Sequence, residues 1–521
     1  MYAYGSAVRM SSDRTSSDAS DELPIAVTFQ APDGGIGPTK FEAPLSLSSV
    51  HRFIPDPLVM DRGIHHLSTL GFKLTRRGRL TASMRCSRAT YEKVFGTQLT
   101  KFELDPTQNY AYHAFYFPED GAPWSPDPTV AALIDDTYIQ WPYIYMAERQ
   151  PRAAQARRRR GGPGGTGQPS INPPPVNYFH LEMPMDVPFW LNVAQVHQAG
   201  GTGRGIRVVM VDSGFGHQAH PFFAAHGYQS TVDLAPHAIN DKTDPNGHGT
   251  GESTNVFAVA PGATFIGIKV DNDNDARHGA SMLEGFQTAL QHQPHVISIS
   301  LGFDLRNRLT GQQLTELPNS LAALEAEIQA AVAAGIVVVF SAGNGHFSFP
   351  GMMPDVIAAG GVFVDQAGNR QASDYASAFE SKIYSGRSVP DFCGLVGMLP
   401  HASYIMFPIP PSCEIDRETS ASDAAGNPGD GTAPDDGWGA FSGTSAAAPQ
   451  LAGVCALLLE KNPHLTPADI KAVLRRTARD VLVGHANPAS SDNGVPSQAG
   501  PGDDGATGAG LVDAFAAWQQ V

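Results

Sequence analysis

Four side chains of this 521-residue chain sit in settings from which they could share one reaction. Ser445 lies in "FSGTSAAAPQLAGVCALLLE" (441–460), a hydroxyl among small residues at the head of an apolar helical run. Taken alone, a serine there is a helix cap. His248 stands between glycines in "DPNGHGTGES", which remove side-chain bulk and let the imidazole approach other groups. Asp212 ends an apolar strand in "VVMVDSGFG", and Asn344 follows another in "VVVFSAGNG". Each alone reads as a turn or cap residue. Together they supply a nucleophile, a base, a carboxylate to hold the base and an amide to meet a developing oxyanion. The chemistry such a set can perform is acyl transfer.

The elements around them must bring these residues to one place. Residues 206–212, 265–271, 295–302 and 336–344 are β-branched runs with the look of strands buried on both faces. Between them "ASMLEGFQTALQHQ" and "NSLAALEAEIQAAVAAG" have helical spacing. Strand–helix alternation predicts an α/β fold with a doubly wound parallel sheet. Sites in such sheets form beyond the C-terminal ends of the strands, where Asp212, Asp271, Asp304 and Asn344 fall. The glycine-rich "GGTGRG" (200–205) precedes a strand and lacks the Lys-Ser/Thr pair of a phosphate loop, so it reads as a turn.

The first part of the chain is different. Residues 23–30 are strand-like. Asp56 and Pro57 open a helix as cap and first-turn residue. "FKLTRRGRLTASMRC" alternates and turns at Gly78, "SRATYEKVFG" is a second helix, and "TQLTKFEL" a last strand. The order β-α-β-β-α-β predicts a small α+β split-βαβ sandwich. Arg-, Gly- and Pro-rich "QPRAAQARRRRGGPGGTGQPSINPPP" (150–175) separates the two parts as an exposed linker. The expected division is 20–145, a linker at 146–176, and 177–521. The run Arg157, Arg158, Arg159, Arg160 is an expected processing site, since exposed linkers are readily cut.

Net charge is −16, which argues against nucleic-acid binding. Residues 1–176 carry 19 Lys/Arg against 17 Asp/Glu, a net of about +2, which leaves about −18 on the rest, so the two parts could attract one another. No stretch approaches the roughly 20 apolar residues of a membrane span. The N-terminus shows no secretory signal pattern, so the cytoplasm is expected, with secretion by another route left open. The four cysteines have no metal-ligand spacing and read as buried free thiols, with a Cys393–Cys413 pair as the alternative.

Motifs "VDSG", "NGHGT", "SAGNG" and "SGTSAAAP", in that order, closely resemble the Asp, His, oxyanion and Ser motifs of the subtilisin-like serine peptidases. "VAPGA" (259–263), "SISLG" (298–302) and "GAGLVDAFAA" (508–517) extend the resemblance over about 187–521. It implies a catalytic triad of Asp212, His248 and Ser445, with Asn344 and the Ser445 N–H binding the oxyanion. It also implies substrate-binding segments Ser300, Leu301, Gly302 and Ser341, Ala342, Gly343. The N-terminal part, in "GIHHLSTLGFKLTRRGRLTASMRCSRATYEKVFGTQL" (63–99), resembles the activation domain of sedolisin-type (pro-kumamolisin) proteases. Sedolisins use a Glu/Asp/Ser apparatus with an acid at the oxyanion site, whereas His248 and Asn344 stand here. A subtilisin-like catalytic unit behind a sedolisin-like propeptide is therefore expected, the propeptide acting as intramolecular inhibitor until the linker is cut.

Departures from the family pattern shape the remaining expectations. Only "GESTNVFA" separates Thr250 from "VAPGA", which leaves no room for the calcium loop of many secreted relatives. No cofactor is required, and structural calcium stays unassigned. "DNDNDARHG" (271–279) starts like an EF-hand but has Ala276 and Met282 where that loop needs Gly and Glu. Asp271, Asp273, Asp275 and Asp304 are instead candidates for attracting basic substrate side chains. An insertion at about 399–435 reads as a loop near the site entrance. The expected protein is a monomeric endopeptidase zymogen acting on protein or peptide. The alternatives are a dedicated peptide-maturation protease or ligase, or a pseudoprotease binding module.

Overall fold

Strands that are apolar on every residue need cover on both faces, and the fold supplies it with helices. In this computed structural model the described residues are 8–10, 22–32, 37, 44–104, 114–118, 123–145, 169–274, 279–307, 309–422 and 428–521. The N-terminal domain contributes β1 (Glu22–Phe29), α1 (Pro57–Thr69), β2 (Lys73–Arg77), β3 (Thr81–Ser87), α2 (Arg88–Phe95), β4 (Ile134–Ile139) and β5 (Ile144–Tyr145). The larger unit is built from β6 (Arg207–Asp212), β7 (Ser230–Leu234), α3 (His248–Val259), β8 (Thr264–Lys269), α4 (Met282–Gln291), β9 (Val296–Ile299), β10 (Leu301–Asp304), α5 (Asn319–Ala333), β11 (Val337–Ser341), β12 (Ile357–Val364), β13 (Phe392–Leu395) and α6 (Thr444–Lys461).

The main sheet runs β7-β8-β6-β9-β11-β12, with β13 beside β12, and these pairings are all parallel. Alternate residues serve opposite layers, as the two-residue period of a strand requires. Val208, Met210, Val337 and Val339 pack with Val256 of α3 and Leu451 and Cys455 of α6. Val209, Val211, Ile297, Ile299 and Phe340 pack with Leu283 and Phe286 of α4 and Leu324 and Ile328 of α5. Each such buried aliphatic contributes about 1.5–3 kcal/mol. Residues 444–459 of α6 are all buried, so the helix that carries Ser445 passes through the middle of the molecule. The four cysteines are buried and free. Among the described residues, no helix is long and apolar enough to cross a membrane.

In the N-terminal domain the antiparallel order is β2-β3-β1-β4. Strand β3 lies between the two arms of a split βαβ unit formed by β1, α1 and β2. Asp56 caps α1 by accepting from the Leu58 N–H at 2.8 Å, and Ser87 caps α2. Leu23, Ile25, Val27, Met60, Leu67, Tyr91 and Phe95 form its core. The strand expected to complete this sheet, Leu99–Leu104, pairs instead with Val8–Met10 and Ala114–Pro118 in a separate small sheet. The place beside β1 is taken by β4, whose Ile139 stands opposite Ile25. Apolar alternation marks both segments as half-buried strands, but it does not say which edge a strand joins.

The outer face of β3 does not meet water. Thr81, Ser83 and Arg85 point away from the domain's core and are buried against α4 and α5. Arg85 grips Glu284 with two hydrogen bonds of 3.0 and 2.6 Å, and Ser83 donates to Gln287 at 2.7 Å. Glu327 of α5 accepts from the N–H groups of Arg79, Leu80 and Thr81 and from the Thr81 hydroxyl.

Candidate active site

Three elements deliver the site, and each does so at its end. Asp212 closes β6, His248 is the first residue of α3, and Ser445 is the second residue of α6. The imidazole Nδ1 of His248 and Oδ1 of Asp212 are 2.7 Å apart. The same oxygen accepts from the Ser213 N–H at 2.7 Å, which fixes the carboxylate. Asp212, His248, Ser445 and Asn344 are all buried, at 0, 4, 3 and 2 % exposure. Among the described residues, His248 Nε2 and Ser445 Oγ have no hydrogen-bond partner. A base with its second nitrogen uncommitted and a hydroxyl with no competing acceptor are the state in which proton transfer between them can occur.

Two glycines make this approach possible. A Cβ on Gly249 would lie 2.3 Å from the Gly214 carbonyl oxygen and 2.9 Å from Asp212 Cβ. A Cβ on Gly443 would lie 2.5 Å from Asn344 Nδ2. Any side chain at these positions would push His248 from Asp212, or Asn344 from the helix that carries Ser445.

Asn344 follows β11 and is oriented by Thr444, whose N–H and hydroxyl both donate to its Oδ1, at 2.9 and 3.1 Å. The carbonyl end being held, the amide nitrogen is the end directed elsewhere. Thr444 Oγ1 also accepts from the Gly343 N–H at 3.1 Å, and Ser300 Oγ donates to the Ser445 carbonyl at 3.0 Å. Ser300–Gly302 and Ser341–Gly343 thus both reach the first turn of α6. The N-terminus of that helix adds a partial positive charge where an oxyanion would form.

Sequence reasoning passed over several residues that build the site. Thr444 lay inside the quoted serine motif but without a role. Asp244, four residues before His248, accepts from Ser213 Oγ, the Gly247 N–H, the Thr250 N–H and the Thr250 hydroxyl at 2.7–3.0 Å. It ties the histidine loop to the strand that carries Asp212. Glu252, one turn along α3 from His248, is buried, and its pKa is pushed up to about 8 by desolvation. Burial disfavours the His248 imidazolium, but the charge and hydrogen bond of Asp212, with Glu252 and Asp244, outweigh it and hold the pKa up at about 9.

The acids expected to read basic side chains do not form one cluster. Asp273 pairs with buried Lys269 and accepts from Thr243. Asp304 faces Arg306 at 3.4 Å and accepts from the Phe347 N–H at 2.9 Å. Asp271 takes a hydrogen bond from the Tyr145 hydroxyl. Asp275 and the Arg157, Arg158, Arg159, Arg160 run lie outside the described residues. Among the described residues, no group of three or more His, Cys, Asp or Glu side chains could hold a metal ion.

The N-terminal domain enters this cleft. Strand β5 pairs antiparallel with β10, Ile144 opposite Gly302 and Tyr145 opposite Leu301. The Tyr145 ring stands edge-on to the His248 imidazole at 5.9 Å between centroids. Nothing local in "WPYIY" announces this contact, because it depends on how the two units dock.

Residues 203–510 match the Subtilase family, Peptidase_S8. Subtilisin E of Bacillus subtilis (strain 168) is 26 % identical over 329 residues, covering 60 % of this chain and 71 % of that protein. Serine protease AprX of the same organism is 28 % identical over 331 residues, covering 57 % of this chain and 67 % of that protein. Among solved structures, fervidolysin from Fervidobacterium pennivorans, described as a keratinolytic enzyme related to subtilisin, has the same fold with a TM-score of 0.51 at 18 % identity. That match covers 96 % of this chain, which spans 61 % of the fervidolysin chain.

Proposed function

The chain belongs to the subtilase family, and from that premise we propose that it is a serine endopeptidase made together with its own N-terminal inhibitor. Ser445 Oγ attacks the scissile carbonyl while His248 Nε2 takes its proton. Asp212, at 2.7 Å from Nδ1, keeps that nitrogen protonated and stabilises the imidazolium. Asn344 Nδ2 and the Ser445 N–H receive the oxyanion, collapse expels the amine with the proton from His248, and water then releases the acyl group by the reverse sequence. The observation that carries this reading is the His248–Asp212 contact at one end of an imidazole whose other nitrogen is uncommitted, in a chain whose Ser445 hydroxyl is buried and equally uncommitted.

The inhibitory role rests on β5. A strand added to β10 uses the same backbone groups that an extended substrate would use, and Tyr145 covers His248. The polar face of β3 anchors the domain on α4 and α5, so the β5 strand is held at high effective concentration. Release then requires a cut between the domain and the enzyme. With β5 already along β10, that cut is proposed within a few residues after Tyr145 rather than at the Arg157–Arg160 run.

A fluorophosphonate probe and intact-mass measurement test both parts. The expected result is labelling of the wild type and none of Ser445→Ala, with the wild type divided in two and Ser445→Ala whole. Absence of labelling in the wild type would overturn the catalytic reading. An N-terminal fragment ending within residues 157–160 would overturn the proposed cut.

A further inference from the structure

Tyr145 makes two contacts that bear on what the cleft selects. Its ring lies against His248, and its hydroxyl donates to Asp271 Oδ1. Asp271 is placed by the triad's own strand. The Val270 N–H bonds to the Asp212 carbonyl at 3.0 Å, and the Asp271 N–H to the Ser213 carbonyl at 3.3 Å. The backbone that carries this carboxylate is thereby tied to the backbone of the catalytic acid. Asp273 and Asp304 are engaged by Lys269 and Arg306, so among the described acids of this edge it is Asp271 that meets the strand lying on β10.

We propose that Asp271 determines specificity at the subsite beside His248, selecting at the substrate position opposite Leu301 a side chain that carries a hydrogen-bond donor at phenol reach, tyrosine above all. The inference rests on the protease reading and on β5 lying where substrate lies. Tyr145 then stands for the side chain that a substrate would place there. A phenylalanine has the same ring to pack on His248 but leaves the half-buried carboxyl without that donor. Sites built to bond a substrate hydroxyl reject the analogue that lacks it, because the desolvated partner is then orphaned. Burial, with the charges of Asp244 and Asp212 nearby, pushes the Asp271 pKa up to about 7, and the hydrogen bond from Tyr145 works against that rise by favouring the carboxylate.

The test uses two internally quenched peptides that differ only in Tyr or Phe at this position, offered to the self-processed full-length protein and to its Asp271→Asn and Asp271→Leu variants. The readout is the ratio of kcat/KM values within one enzyme, so any general loss of activity cancels. The wild type is expected to prefer the Tyr peptide by about 10- to 100-fold. Asp271→Asn keeps part of the preference, and Asp271→Leu turns it toward Phe. A wild-type ratio within about twofold, or a Tyr preference that survives Asp271→Leu, overturns the inference. If the wild type labels at Ser445 and cuts both peptides equally, the Asp271 assignment fails and the protease reading stands. If it neither labels nor cuts, both fail.

Discussion

Glu327 is the most heavily used contact between the N-terminal domain and the enzyme, and its loss has a calculable cost. Its Oε1 accepts from the Leu80 N–H at 2.9 Å, the Thr81 N–H at 2.7 Å and the Thr81 hydroxyl at 2.8 Å, and its Oε2 from the Arg79 N–H at 3.0 Å. The side chain has no exposure. Glu327→Ala leaves three backbone donors in the interface with no acceptor. A buried unpaired donor costs about 1–3 kcal/mol, and water entering the vacated space brings each toward the lower figure. The docking equilibrium therefore weakens by about 3 kcal/mol, roughly a hundredfold. Glu327→Gln keeps an acceptor for the Oε1 set and loses one bond, for about 1 kcal/mol. Both variants are made on Ser445→Ala so that the chain stays whole. The assay is the rate at which added trypsin cuts after Arg76, Arg77 and Arg79, which tracks the open population when opening is fast. About a hundredfold acceleration for Ala and about fivefold for Gln are expected. A rate within about threefold of the parent for Glu327→Ala, with the melting temperature unchanged, would refute the reasoning.

Two more predictions concern the chemistry. Asn344→Ala should lower kcat by about 10²–10³ with little change in KM, the loss of one oxyanion donor at about 3–4 kcal/mol; a loss carried wholly by KM would contradict the role. The second is pH dependence. The His248 pKa is raised to about 9 in the closed chain, so the imidazole is charged, and unable to accept the Ser445 proton, below that value. First-order self-cleavage of chain refolded from denaturant should rise about tenfold per pH unit below pH 9 and level above it. Glu252→Gln removes a neighbour that is negative above its own raised pKa of about 8, disfavours the imidazolium there and moves the top of this limb to lower pH; a rate that is flat from pH 6 to 9 in the parent would contradict it.

How much of this was legible before the fold is clearest at individual residues. The strands ending at Asp212 and before Asn344 were visible as continuous β-branched runs, since burial on both faces leaves no polar alternation to read. Asp56 announced its helix because a cap is a contact within three residues. The place of Leu99–Leu104 was not visible, since its alternation fits either sheet. The acids at 271, 273 and 304 looked alike in composition. Lys269 and Arg306 separate them, and those partners are known only from the folded chain.

The sequence alone determined the parts whose physics is local: strand and helix periods, caps, and motifs in which glycines clear space around a reactive side chain. It also carried the order Asp212, His248, Asn344, Ser445, which made an acyl-transfer set readable. Tertiary structure decided what faces what. Thr81, Ser83 and Arg85 alternate with Ala82, Met84 and Cys86, as on any strand with one wet face, yet that face is buried on α4 and α5. Tyr145 reaches His248 and Asp271 because that docking sets β5 on β10. A hydrogen bond across 126 residues leaves no local trace, since its energy is gained only after the chain between has paid the entropy of bringing the ends together.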